Sequence, residues 1–138
     1  MALILDSGVV FAALDADDRD HGPCAKLVSD ANESLVIPAL TLAEVDYWCQ
    51  RRLRPQAWLT FLEDLLAGAY VLESPTQGDL ERCHALQRTY ADLEVGMVDA
   101  SVLAVVERLG EEKLATLDHR HFATMRPSHT TALDLLPG

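Results

Sequence analysis

Four carboxylates occupy equivalent points along this chain of 138 residues, each just after an apolar run or in the first turn of a helical pattern: Asp6, Glu44, Asp99 and Asp118. Buried carboxylates repel one another unless a cation neutralises them. Oxygen ligands without His or Cys favour Mg²⁺ or Mn²⁺ over zinc. Ions held in this way can activate a water and stabilise the leaving oxygen of a phosphodiester. The four acids therefore predict metal-assisted phosphodiester hydrolysis.

Each acid also has a simpler interpretation. A single Asp after a strand often forms a turn or caps a helix, and Asp99 fits the N-terminal end of its helix electrostatically. Thr41 and Glu44 have the spacing of a capping box. The recurrence of one pattern favours a shared site. No Ser–His or Cys–His spacing and no glycine-rich phosphate loop competes with it.

The elements that must position these acids alternate along the chain. Short apolar runs bounded by turn residues predict strands at 3–5, 34–37, 69–72, 113–117 and 133–136. Apolar periodicity predicts helices at 9–14, 21–30, 41–53, 56–67, 76–90 and 100–109, and 119–122 is predicted as a loop. This order predicts a single α/β domain over 1–138, in which a central parallel sheet of four to five strands has helices on both faces. Right-handed crossovers would bring the strand ends, and thus the acids, to one side.

Composition narrows the possible partners and environment. The net charge of −11 argues against non-specific binding of nucleic acid or an anionic membrane through a basic face. Three unpaired cysteines, without a CxxC motif, are expected to be buried thiols in a reducing compartment: Cys24, Cys49 and Cys83. The chain has no signal-peptide pattern and no apolar run near the roughly 20 residues that a membrane span needs. A cytoplasmic protein is expected.

The order and spacing of the motifs resemble those of a PIN domain, and more narrowly those of VapC-type toxins from bacterial toxin–antitoxin pairs. The motifs lie at 3–7, 43–45, 98–100 and 115–118, the last followed by His121 and Phe122. The resemblance spans nearly the whole chain. It implies a three-layer α/β/α PIN-like fold and an endoribonuclease that depends on Mg²⁺ or Mn²⁺.

The resemblance also assigns roles to residues. Asp6, Glu44 and Asp99 match the central metal-binding acids of the family, and Asp118 matches a fourth, more variable acid. Ser7 and Thr116 match positions that would support the metal ligands from behind. Because a metal-bound water would be the nucleophile, no protein base is needed.

Partners are implied in the same way. PIN toxins cut structured RNA such as tRNA or rRNA, form homodimers and are blocked by a small antitoxin, whose basic segment would suit this acidic chain. RNA attraction would fall to the metals and a few arginines, because phosphates must be neutralised. The candidates are Arg51, Arg52, Arg54 and Arg120, with His119 beside them, although solvated positions are the default for these residues. His21 and His121 are predicted to bond backbone groups.

Two alternatives remain open from the sequence. A haloacid-dehalogenase-like phosphatase also carries an Asp after its first strand, but needs a second Asp two residues later, where Gly8 stands. A non-catalytic PIN-like protein-binding module would use some of the acids only as helix caps.

Overall fold

The computed structural model describes all residues, 1–138, and contains one five-stranded sheet in which every neighbouring pair is parallel. The strands are β1 (Ala2–Leu5), β2 (Ser34–Pro38), β3 (Val71–Glu73), β4 (Lys113–Ala115) and β5 (Asp134–Leu136). Their order across the sheet is β3-β2-β1-β4-β5. The predicted parallel sheet is therefore confirmed, with β1 at its centre.

Seven α-helices connect and cover the strands. They are α1 (Ser7–Leu14), α2 (His21–Asp30), α3 (Thr41–Arg52), α4 (Pro55–Leu66), α5 (Gln77–Thr89), α6 (Met97–Leu109) and α7 (His119–Thr124). The prediction of a loop at 119–122 is wrong. A helix starts there because the Asp118 side chain accepts a hydrogen bond from the His121 backbone N–H at 3.1 Å, which caps α7.

The two faces of the sheet bury separate apolar clusters. Along β1, Leu3 and Leu5 point to one face and Ile4 to the other, because successive strand side chains alternate. Helices α1 to α4 contribute to the first cluster, which includes Phe11 and Phe61. Helices α5, α6 and α7 contribute to the second. The result is the predicted three-layer α/β/α arrangement.

Helix α6 is the most deeply buried helix of the second layer. Seven consecutive residues, 100–106, are buried, as its nearly all-apolar sequence predicts. It ends at Gly110, whose φ of 69° is a left-handed conformation that glycine adopts without steric penalty. The opposite end of α6 begins at Met97, which places Asp99 in its first turn.

The order of the strands creates a crevice beside β1. The chain passes from β1 to β2 and β3 on one side, and β4 and β5 then form on the other side. In open parallel sheets, ligands bind beyond the carboxyl ends of the strands where the connections part in this way. That position lies between the ends of β1 and β4. No helix of the structure has the length and apolar character needed to cross a membrane.

Candidate active site

All four predicted acids line one open pocket of about 490 Å³ beyond the ends of β1 and β4. Its lining is Asp6, Ser7, Gly8, Glu44, Trp48, Asp99, Leu117 and Asp118. We call it the acid pocket. Residues more than 100 positions apart in the sequence meet there because β1 and β4 are neighbours.

Asp6 is the most buried acid of the pocket, with 4% of its surface exposed. It follows β1 and caps α1, which begins at Ser7. Its carboxylate accepts hydrogen bonds from the Ser7 backbone N–H and from the Thr116 hydroxyl, both at 2.8 Å. Burial nevertheless raises the pKa of Asp6 to about 7, and the charges of Asp99 and Glu44 act in the same direction.

Glu44 is held by Ser7 rather than by its own helix. The Ser7 Oγ lies 2.6 Å from Glu44 Oε1, to which it donates, and 3.4 Å from Asp6 Oδ1. The capping box that the spacing of Thr41 and Glu44 left open does not form, because α3 already begins at Thr41 and the Thr41 hydroxyl donates to the Pro38 carbonyl at 2.7 Å. Glu44 therefore lies one position too far along the helix to cap it, and its carboxylate lines the pocket.

Thr116 connects the two strand ends. Its side chain is fully buried; the hydroxyl donates to Asp6 Oδ2 and accepts the Asp118 backbone N–H at 3.0 Å. Ser7 and Thr116 therefore fix the orientation of the surrounding carboxylates by hydrogen bonds. That they support a metal site stays a prediction.

His121 is a member of the acid cluster that the sequence reasoning missed. Its Nδ1 lies 2.5 Å from Asp99 Oδ2 and 3.0 Å from Asp118 Oδ2. The hydrogen bond with Asp99 raises the pKa of His121, and the charge of Asp118 adds to the effect. Burial raises the pKa of Asp99 despite this bond. The signal available in the sequence was the i, i+3 spacing of Asp118 and His121 at a helix start. By contrast, His21 bonds the Ala12 carbonyl at 2.8 Å, as predicted.

The donor atoms of the pocket fit a divalent cation. Ligand atoms of Asp99, Asp118 and His121 all lie within 4.8 Å of one another. No Lys or Arg lines the pocket, and burial raises the pKa of Asp6, so a nearby cation would favour its charged form. The oxygen set remains the one predicted from sequence, because the His121 Nδ1 is hydrogen-bonded to Asp99 and paired with Asp118. Imidazole suits transition metals, whereas carboxylates suit Mg²⁺ and Mn²⁺.

Trp48 was also missed by the sequence reasoning, although it lies one helical turn beyond Glu44 on α3 and forms part of the pocket wall. Among the predicted RNA-contacting residues, Arg52 packs its guanidinium over the Phe11 ring, 4.6 Å from the centroid. Arg120 and His119 are exposed on α7. Their proposed contacts with RNA stay predictions.

Comparisons with solved structures support the fold. The chain resembles VapC20 of Mycobacterium tuberculosis, described as a toxin that cleaves the sarcin–ricin loop, with a TM-score of 0.80 and 20% identity, covering 88% of this chain and 93% of that one. It also resembles a DNA-bound VapBC complex from Salmonella typhimurium, with a TM-score of 0.71 and 14% identity over 98% of both chains. Identities this low show a shared fold and no more.

Sequence comparisons agree with this fold. Ribonuclease VapC26 of Mycobacterium tuberculosis is 29% identical over 125 residues, which cover 91% of this chain and 93% of the relative. The PIN domain family matches residues 3–126, a span that begins in β1 and ends just after α7. That span contains all four acids, Ser7, Thr116 and His121, so the chain belongs to the PIN domain family.

Proposed function

We propose that this protein is an endoribonuclease that hydrolyses phosphodiester bonds in RNA with Mg²⁺ or Mn²⁺ and acts as the toxin of a toxin–antitoxin pair. The observation that carries the proposal is the convergence of Asp6, Glu44, Asp99 and Asp118 in one open pocket without Lys or Arg. The ribonuclease name of the 29% identical relative points to the same activity.

The four carboxylates would hold the metal. A bound divalent ion would supply an activated water and charge stabilisation at the leaving oxygen. The chain's own residues prepare the site. Ser7 and Thr116 hold Asp6 between two donors, and His121 Nδ1 brings the carboxylates of Asp99 and Asp118 together.

Purified protein and labelled RNA test this proposal directly. Hydrolysis should require Mg²⁺ or Mn²⁺, stop with a chelator and vanish in Asp99→Asn with the fold intact. The matched control is Asp64→Asn, an exposed carboxylate on α4, which should cleave normally. Undiminished cleavage by Asp99→Asn would indicate a contaminating nuclease.

Binding of the ion gives a second readout. Mg²⁺ or Mn²⁺ at a hundredfold excess over its Kd should stabilise the fold by about 2.7 kcal/mol, because only the native state assembles the ligands. Asp6→Asn should abolish most of that thermal shift. An unchanged melting temperature with either ion, together with unchanged toxicity of Asp6→Asn, would favour the non-catalytic binding module.

The proposed substrate is a structured RNA such as tRNA or rRNA; VapC20, which this chain resembles in fold, is described as a toxin that cleaves the sarcin–ricin loop. Sequencing RNA 5′ ends after brief expression of the wild type and of Asp99→Asn would name the RNA and the bond. Ends present with both proteins would not come from this pocket.

The proposed partners are a small antitoxin with a basic segment and a second copy of the chain. Several structural relatives were solved as toxin–antitoxin complexes, and the net charge of −11 complements a basic segment. Co-expression with the product of the neighbouring reading frame should suppress toxicity and RNA cleavage. Light scattering should give twice the mass of one chain.

A further inference from the structure

We propose that Trp48 is a stacking platform for an unpaired base next to the bond that is cut, and that Arg52 binds a neighbouring phosphate. The inference rests on the proposed ribonuclease activity and deepens it, because it specifies an RNA conformation. The residues involved are Glu44, Trp48 and Arg52, which we call the α3 strip.

The spacing of the α3 strip places its members on one face of the helix. Positions i, i+4 and i+8 lie within about 80° of one another around the helix, and eight residues of helix extend about 12 Å along the axis. Glu44 and Trp48 both line the acid pocket. The Arg52 guanidinium lies 5.7 Å from the centroid of the Trp48 ring. The strip therefore leads from the acids to a positive charge.

The Trp48 ring is held in place from behind. The buried Phe11 ring packs against it edge-on, with centroids 5.8 Å apart and an interplanar angle of 68°. Arg52 packs over Phe11 as well. The indole is half-buried rather than enclosed, and its exposed part forms pocket wall. An aromatic side chain fixed in this way needs little further ordering to bind a flat ligand.

The proposed phosphodiester hydrolysis indicates that this flat ligand is a nucleotide base. Phosphodiester hydrolysis at the acids would place a phosphate within the same cavity, and each phosphate in RNA is joined to bases on either side. Bases stack on aromatic side chains with little dependence on sequence. Only an unpaired base presents its face, so the preferred substrate is a single strand, loop or bulge rather than a duplex.

Arg52 supplies what an acidic protein otherwise lacks at this site. The chain carries a net charge of −11 and the acid pocket contains no Lys or Arg. The arginine at the far end of the α3 strip could bind the phosphate that follows the stacked base, at the edge of the acidic region. Arg54, in contrast, is exposed at the start of α4 and is not among the arginines packed on an aromatic ring.

The test uses the two tryptophans of the full chain, Trp48 and Trp58. Trp58→Phe leaves Trp48 as the only indole, and Trp48→Phe leaves Trp58, which packs on Phe61 in α4. Each protein is titrated with a mixed-sequence single-stranded oligoribonucleotide and with its blunt duplex, using Ca²⁺ in place of Mg²⁺ to prevent cleavage. The single strand should quench Trp48 fluorescence and leave Trp58 unchanged, and the duplex should quench much less.

Cleavage kinetics provide the second measurement. Trp48→Leu should raise KM for RNA about tenfold with a smaller change in kcat, whereas Trp48→Phe should retain most of the affinity. Arg52→Gln should lower the slope of log affinity against log salt by about one. The matched control is Arg88→Gln, at an exposed arginine in the last turn of α5, which should leave the slope unchanged.

The outcomes separate this inference from the ribonuclease proposal. If the wild type cleaves RNA while Trp48→Leu keeps its KM and Trp48 fluorescence is insensitive to RNA, the inference is wrong and the activity stands. If Trp48→Leu fails to fold, the quenching comparison still decides, since it leaves Trp48 in place. If Trp48→Leu loses only antitoxin binding, the surface belongs to a protein partner and the inference is overturned. If no RNA is cleaved, the ribonuclease proposal is wrong, and the inference that rests on it is overturned as well.

Discussion

Asp6 and Asp79 are equally buried, with 4% of each residue exposed, but their surroundings are opposite. Asp79 lies in an ion-pair cluster between α5 and α6, where the Arg108 Nε is 3.0 Å from its Oδ2 and 3.3 Å from its Oδ1. It also forms a capping box with Thr76 at the start of α5. Asp6 lies among acids in a pocket without Lys or Arg.

The two regions neutralise buried negative charge in different ways. Between α5 and α6 the protein supplies its own cations: Arg108 also reaches Glu73, and Arg82 forms a two-pronged pair with Glu107. In the acid pocket, His121 is the only basic side chain in contact with the carboxylates. A carboxylate without an internal counterion is unfavourable unless a cation arrives from outside. We therefore expect the acid pocket to lower the free energy of unfolding as long as no cation is bound, which is typical of a binding site.

Neutralising each aspartate separately should have opposite effects on activity and stability. Asp6→Asn should lower RNA cleavage about a thousandfold, because it removes a ligand of the proposed metal. Asp79→Asn should leave cleavage close to that of the wild type and lower the melting temperature. Initial rates with a labelled RNA, together with thermal unfolding of both variants, would measure this. Loss of activity in Asp79→Asn at a temperature where it is folded would contradict the comparison.

Asp6 should make the free energy of unfolding of the metal-free protein depend on pH. The pKa of Asp6 rises from 3.8 to about 7 on folding, so the native state binds this proton more tightly than the unfolded state does. Asp6 therefore contributes most favourably at pH values below about 4, and its contribution falls as pH rises to 7 and then levels off, by at most about 4 kcal/mol.

Urea unfolding in chelator at several pH values, for the wild type and Asp6→Asn, would measure that contribution as a difference. Asp6→Asn should be the more stable protein at pH 8, and the two curves should converge toward pH 4. A constant difference across this range would show that Asp6 has an ordinary pKa and that the pocket is not strained by its charge.

In the ion-pair cluster, removing the cation should destabilise the fold. Arg108→Met should destabilise the fold by about 2 kcal/mol, because it leaves Asp79 buried without its cation. That value is below the range for fully buried pairs, since the Arg108 side chain is 31% exposed. Arg88→Met, an exposed arginine in the last turn of α5, is the control. Adding Asp79→Asn to Arg108→Met should recover part of the loss, and a purely additive double variant would argue against a coupled pair.

The smallest expected effect concerns the hydroxyl that connects β4 to Asp6. Thr116→Val should lower the free energy of unfolding by about 1 kcal/mol, since it removes one hydrogen bond to Asp6 and the acceptor of the Asp118 N–H. Cleavage should fall about tenfold because both carboxylates lose their orientation. Thr116→Ser keeps the hydroxyl and should restore most of the rate. Equal rates for Val and Ser at this position would remove Thr116 from the supporting network.

The sequence was most informative where a pattern was local. The strand at Ala2–Leu5, the nearly all-apolar α6 and its glycine stop, and the position of acids after strands follow from hydrophobic period and turn residues. The sequence left two interpretations open where two local patterns had similar strength. Thr41 and Glu44 fit a capping box as well as a site, and only the start of α3 at Thr41 decided between them. The short α7 had too few residues to show a period.

Local sequence patterns were enough to predict that four acids follow strands or begin helices, and that a parallel α/β order brings them to one side of a sheet. Tertiary structure alone decided which neighbours each acid has: Ser7 on Glu44, Thr116 on Asp6, and His121 between Asp99 and Asp118. Those contacts join residues up to 110 positions apart. They depend on the pairing of β1 with β4 and on the angle at which each helix leaves the sheet, and neither quantity is encoded in a local pattern.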